Sequence, residues 1–173
     1  MAVIKTGSER ENCYRFCRIL VDIGYKIARD YVENIILDHG YEDIKQFFYF
    51  YKALIIDHPK VFTVKHLDGV IRVIKKPEFD ETLGMFDVGA CTSIIENIFT
   101  YNLKNLNYFN RHPKQCDLSF HKSHSLNKLR KLRNTDFGHI FVFKMGDKKF
   151  QRAINYLEGI FDDLTKVIVI GVK

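Results

Sequence analysis

Ser8-Glu9-Arg10-Glu11-Asn12-Cys13-Tyr14-Arg15-Phe16-Cys17-Arg18-Ile19-Leu20-Val21-Asp22-Ile23-Gly24 opens the longest patterned stretch of the chain, and its reading decides the fold. Ser8 and Glu11 have the S-x-x-E form of a capping box, which satisfies the free N–H groups of a first helical turn. Apolar residues then recur at Cys13, Phe16, Cys17, Leu20, Ile23, Ile27, Tyr31, Ile35 and Ile36. Spacings of three and four place them on one helix face. Gly40, after Asp38-His39, suits the left-handed conformation that ends helices. The spacing predicts a helix over 9–38, and an apolar stripe of that length needs other helices to cover it.

Those helices are sought on the C-terminal side. Tyr41 to Asp57 is dense in aromatics, with Phe47-Phe48-Tyr49-Phe50-Tyr51 at its centre. Glu42, Asp43, Lys45 and Lys52 interrupt it at helical spacing, so a second helix is expected, ended by His58-Pro59. Residues 59–79 read as irregular, with short helical turns over 61–65 and 67–74. Asp80 reads as the N-cap of a third helix and Glu81 as its first-turn acid. Leu83, Phe86, Ala90, Ile94 and Ile98 carry that helix to about residue 101. Gly84 and Gly89 weaken it by propensity or admit a close neighbour. Asn102 to Pro113 has loop composition. Ser119 or Ser123 opens a basic helix through Leu126, Leu129 and Leu132, with Gly138 at its end. Asp147 caps a last helix carrying Phe150, Ile154, Leu157, Phe161 and Leu164. Val167 to Ile170 finishes that helix or pairs as a strand. The expectation is all-α: one domain over 1–173, a helical bundle of four long helices with an irregular insert between the second and third.

Composition agrees with a folded globular chain. It has 173 residues, 46% hydrophobic and 28% charged, which excludes general disorder. No apolar run approaches the eighteen residues of a membrane span. Met1 to Arg10 lacks the apolar core of an export signal. Cys13, Cys17, Cys91 and Cys116 therefore read as reduced thiols in a cytoplasmic protein, with Cys13 and Cys17 on the apolar face of the first helix. Cys116, Asp117, His121 and His124 form a weak zinc pattern, but Cys116-x4-His121 is not a standard ligand spacing. No metal and no small-molecule cofactor is expected.

Charge is concentrated in one segment. Lys114 to Arg152 holds ten basic residues against three acids, a local +7 in a chain of net +6. Such a segment suits a polyanion, nucleic acid above all, and equally a solvated helix face. Inside it lies Leu132-Arg133-Asn134-Thr135-Asp136-Phe137-Gly138-His139. An arginine fork holds phosphate oxygens, and a histidine exchanges protons near neutral pH. Together they suit RNA cleavage without metal: imidazole moves a proton at the 2′-hydroxyl or the leaving 5′-oxygen, and guanidinium stabilises the phosphorane. With this composition, Arg-Asn-x4-His arises by chance roughly 0.02 times. The packing alternative is that Arg133 pairs with Asp136 and His139 caps a helix end. Glu96 and Asn97 on the third helix are candidates to support Arg133. The aromatic run at 47–51 suits core packing better than base stacking.

The Arg133-to-His139 stretch resembles the signature of the HEPN superfamily, all-helical RNases and RNA-binding domains. It is most similar to the branch found at the N-terminus of an animal RNA-binding RING ubiquitin ligase of the DAZ-interacting zinc-finger type. Arg18-Ile19-Leu20-Val21-Asp22-Ile23-Gly24 and Phe79-Asp80-Glu81-Thr82-Leu83 support the resemblance in order and spacing. It implies a helical bundle forming a homodimer with the Arg-Asn-x4-His segments facing each other. It further implies metal-independent cleavage of single-stranded RNA to a 2′,3′-cyclic phosphate. Carried over, Arg133 and His139 are catalytic and Asn134 orients or binds phosphate. Lys128, Arg130 and Lys131 are the expected RNA-binding residues. The same resemblance allows a non-catalytic dimerisation or RNA-binding module within a larger innate-immune or ubiquitin-ligase protein.

Overall fold

The computed structural model describes residues 7–57, 64–99, 120–137 and 144–170, with side chains from 53–57, 64–66, 120–123, 135–137 and 167–170 left aside. Its first helix, α1, covers 9–38. Glu9–Arg18 is α-helical, Ile19–Gly24 widens into a π turn, and Tyr25–Asp38 returns to α-helix. Ser8 Oγ accepts the Glu11 N–H at 3.3 Å, as the capping reading requires. Gly40 closes the helix at φ 87°, where glycine carries no Cβ penalty. Buried positions include Phe16, Leu20, Gly24, Ala28 and Val32. That four-residue repeat outruns a 3.6-residue helix and stays on one face because the π turn absorbs the difference. Ile23 is accordingly 46% exposed and Ile27 half-buried, although the sequence spacing places both in the core.

Among the described residues five more helices follow, and no strand. These are α2 (Ile44–Asp57), α3 (Val64–Ile74), α4 (88–99), α5 (120–137) and α6 (Asp147–Ile170). The all-α expectation holds. The insert is more ordered than expected: where short turns are predicted, α3 is an eleven-residue helix packed on α4. Its apolar residues Leu67, Val70, Val73 and Ile74 recur at threes and fours and are buried.

Asp80 does not start a helix. Its Oδ1 accepts from the Thr82 N–H at 3.1 Å and the Thr82 hydroxyl at 2.7 Å. That local turn leaves Glu81 at φ 62°, a left-handed conformation no helix continues from. The helix begins seven residues later, where Asp87 Oδ1 accepts the Ala90 N–H at 2.8 Å. Within α4, Val88–Ser93 is α-helical and Ile94–Phe99 is a π turn.

α4 sits in the centre, buried through Val88, Ala90, Cys91, Thr92, Ile94, Ile95, Ile98 and Phe99. Each large apolar side chain so enclosed contributes about 1.5–3 kcal/mol. Phe47 stacks on Phe99 with centroids 5.7 Å apart, and Phe48 stacks on Phe86 at 5.5 Å. The aromatic run is therefore core at Phe47, Phe48 and Tyr51, while Tyr49 faces solvent at 80% exposure. α6 lies beside α1 with both N-termini together. The Met145 N–H donates to Glu9 O at 2.9 Å, and buried Asn12 donates to Met145 O at 3.2 Å and to Asp147 Oδ1 at 2.8 Å. Val167 to Ile170 completes α6 rather than forming a strand. No helix of the described residues is long and apolar enough to cross a membrane.

Candidate functional site

α5 starts as an ordinary α-helix over Phe120–Lys131 and then widens into a π turn, Leu132–Phe137. Leu126, Leu129 and Leu132 are buried and fix the rotation of the helix. Their burial turns Asn127, Arg130 and Arg133 towards α4, which runs antiparallel to α5 in this contact. Near the C-terminal end of α5, Arg133 Nη1 donates to Asp87 Oδ2 at the start of α4. Further down, Glu96 accepts from Asn127 Nδ2 and lies 3.9 Å from Arg130 Nη1.

Arg133 is held from several sides. Its side chain is 29% exposed, and its Nε donates to Asn134 Oδ1 at 3.0 Å. Burial works against the charge. The Asp87 carboxylate, together with a hydrogen bond to Tyr25 of α1, more than offsets it, so the guanidinium titrates above its ordinary value. Gly89 completes the seat. A Cβ there would lie 3.1 Å from Arg133 Nη2 and 3.3 Å from Asp87 Oδ1, so the guanidinium rests where any larger residue would intrude. Asp87 thus has two tasks, one oxygen capping α4 and the other fixing Arg133.

These contacts form one wall of a polar cleft of about 340 Å³ between α3, α4 and α5. Its lining holds Asp68, Gly69 and Arg72 from α3, Asp87, Gly89, Ala90, Ser93, Glu96 and Asn97 from α4 and its cap, and Arg130 and Arg133 from α5. Three arginines face three carboxylates, so the lining is balanced in charge. Two other depressions lie between α1 and α6: one of about 360 Å³ lined by Ile19, Ile23 and Phe150 with Arg15, Arg18 and Asp22, and one of about 260 Å³ lined by Ile19, Ile23, Ile154, Leu157 and Phe161 with Glu158. The α3–α4–α5 cleft gathers three arginines around one opening.

Of the residues singled out from sequence, the structure brings Arg133 and Arg130 into this cleft and sets Glu96 and Asn97 beside them. Asn134 is exposed and orients Arg133 through its own side-chain oxygen. Lys128 is half-buried and Lys131 exposed, and neither lines the cleft. His139 and Gly138 lie outside the described residues, as do Ser119, Cys116 and Asp117. His124 is exposed on α5. Arg133 takes Asp87 as its carboxylate partner. The Asp136 side chain, the partner in the packing alternative, is outside the described set.

Sequence reasoning missed Asp87, Tyr25 and Arg72. One signal was available for the α4 wall: in a helix apolar on every other face, Gly89, Ser93, Glu96 and Asn97 recur at spacings of three and four. Two of the described thiols, Cys17 and Cys91, are set against reaction by burial. Burial beside Cys13 pushes the Cys17 thiol up to about 12, and burial does the same for Cys91, far from the range of a reactive thiolate. Comparison with known proteins found no matching family model, no matching curated protein and no matching solved structure.

Proposed function

We propose that this chain is an RNA-acting helical domain of the HEPN type. In this reading it is a metal-independent endoribonuclease of the cytoplasm that works as a homodimer on single-stranded RNA. The observation that carries the reading is the setting of Arg133. The arginine of the Arg-Asn-x4-His stretch is half-buried and anchored by Asp87 and Asn134 at the edge of a polar cleft, and an arginine on a solvated face would lack that anchoring.

Arg133 binds a non-bridging phosphate oxygen and stabilises the negative charge of the phosphorane. His139 takes the proton of the ribose 2′-hydroxyl as the 2′-oxygen bonds to phosphorus. The phosphorus–5′-oxygen bond then breaks, and an acid delivers a proton to the leaving oxygen. The products are a 2′,3′-cyclic phosphate and a 5′-hydroxyl. Base and acid are separate tasks, and the stretch supplies one histidine, so a second copy supplies the other. Asn134 keeps the guanidinium plane in place.

The test is cleavage of single-stranded RNA in EDTA by the parent, Arg133→Ala, Arg133→Lys and His139→Ala. The expected result is a loss of about 10²–10⁴-fold for both alanine variants. Lysine in place of Arg133 should recover part of the binding and little of the rate, because it lacks the fork. Cleavage unchanged in both alanine variants would refute the assignment.

The Asp87–Arg133 ion pair favours a second reading, a dimerisation or RNA-binding module in which Arg133 serves packing. That reading predicts a parent without RNase activity and an Arg133→Ala variant that loses stability or association.

A further inference from the structure

The cleft has a wall with no part in the reading above. α3 brings Asp68, Gly69 and Arg72 to it. Gly69 lies against Ala90, and a Cβ at Gly69 would sit 3.7 Å from the Ala90 Cβ. Small on small, the pair lets α3 approach α4 closely enough for Arg72, three residues on, to share the opening with Arg133.

The three arginines differ in what they already hold. Arg133 is paired with Asp87, and Arg130 faces Glu96. Arg72 is exposed. Its Nε reaches the main-chain oxygen of Asp68 at 3.3 Å, and it forms no ion pair among the described residues. No carboxylate among the described residues pairs with its terminal amino groups, so none of these competes with a ligand for them. A balanced lining gives little diffuse attraction for a polyanion, so recognition here depends on geometry: guanidinium forks on two walls of one opening.

We propose that this cleft seats a single phosphodiester of the RNA chain between Arg72 of α3 and Arg133 of α5, over the Gly89–Ser93 turn of α4. Arg72 is the second cation of the site. The proposal rests on the RNA-acting reading and adds to it a residue outside the basic segment. Asp87 and Asn134 occupy part of the Arg133 guanidinium, and its remaining N–H groups meet the phosphate oxygens. Lys128 and Lys131 hold flanking phosphates outside the cleft.

Phenylglyoxal modification, read at each arginine by peptide mass spectrometry, tests this on the parent protein. It is run alone, with inorganic phosphate, and with a short oligouridylate, 2′-O-methylated in this and the following assay so that the parent cannot cut it. Arg72 and Arg133 should be protected together by both ligands while Arg18 stays reactive. Anisotropy titrations of labelled oligouridylate accompany it for the parent, Arg72→Gln and Lys149→Gln, the last removing a charge at the start of α6. Arg72→Gln should weaken binding about five- to twentyfold and lower the slope of log affinity against log salt by about 0.7. Lys149→Gln should stay within about twofold. Protection of Arg133 without Arg72, or equal losses in the two variants, overturns the proposal. Oligouridylate binding with neither arginine protected also overturns it and leaves the RNA reading standing. Protection of both by phosphate, with no oligouridylate binding, upholds the cleft as a phosphate seat and defeats the RNA reading.

Discussion

Gly89 and Gly159 are both helical glycines, yet the structure gives them opposite tasks. Gly159 lies on α6 with open space where a Cβ would project. Gly89 lies under the Arg133 guanidinium. Glycine inside a helix costs about 0.5–1 kcal/mol relative to alanine. Gly159→Ala should therefore raise stability in urea by about that amount and leave RNA cleavage unchanged. Gly89→Ala should gain little, because its Cβ pushes against Arg133 and Asp87, and cleavage should fall as the guanidinium shifts. Equal behaviour of the two variants would mean that the Arg133 seat does not matter. At this scale the sequence was legible in part. Arg133 and Asn134 stand out by their rarity beside His139. Asp87 does not, because its partner lies 46 residues away and no local pattern links them.

Element boundaries depend on which side chain captures the first free N–H groups. Asp80 and Asp87 both resemble N-caps, and the sequence reading took Asp80. Thr82 settles the matter locally: two of its groups hydrogen-bond to Asp80 and commit that segment to a turn, leaving Asp87 to start α4. Removing the Asp87 side chain takes away a cap and an ion pair together. Asp87→Ala should cost about 1–2 kcal/mol in urea unfolding, and Asp87→Ser should recover most of the cap's share. If serine recovers none, the cap carries no stability. The π turns were not legible. Ile19–Gly24, Ile94–Phe99 and Leu132–Phe137 shift the phase of three helices, and a search at fixed period assumes that phase never shifts. Ile23 was misplaced for that reason. The last helix keeps its phase, and there Phe150, Ile154, Leu157 and Leu164 are buried as read, while Phe161 is half-buried and Ile160 beside it is enclosed.

Across the molecule, the all-α class followed from the spacing of apolar residues by threes and fours, which recurs in the long elements even where a cap was misassigned. The arrangement of helices did not follow, since it depends on contacts between distant segments. Asn12 shows this. It is fully buried, bonds across to Met145 and Asp147, and accepts from the Gly7 N–H at 2.9 Å, joining the starts of α1 and α6. Asn12→Ala leaves the buried Met145 carbonyl without its partner, while exposed Asp147 and half-buried Gly7 can turn to water, and should cost about 1–2 kcal/mol, read as a lower urea midpoint with unchanged slope. A loss under about 0.5 kcal/mol would show that the junction is loose. The same arrangement brings α3, which the sequence presents as part of an irregular insert, to the cleft beside Arg133.

If the chain cuts RNA by activating a ribose 2′-hydroxyl next to Arg133, that hydroxyl is indispensable to the reaction. The most direct test of this chemistry uses two oligoribonucleotides of one sequence, one natural and one 2′-O-methylated throughout, incubated with the parent protein in EDTA. The natural strand should be cut to fragments ending in 2′,3′-cyclic phosphate, and the methylated strand should stay whole. Equal cutting of both strands, or an intact natural strand, would contradict that chemistry.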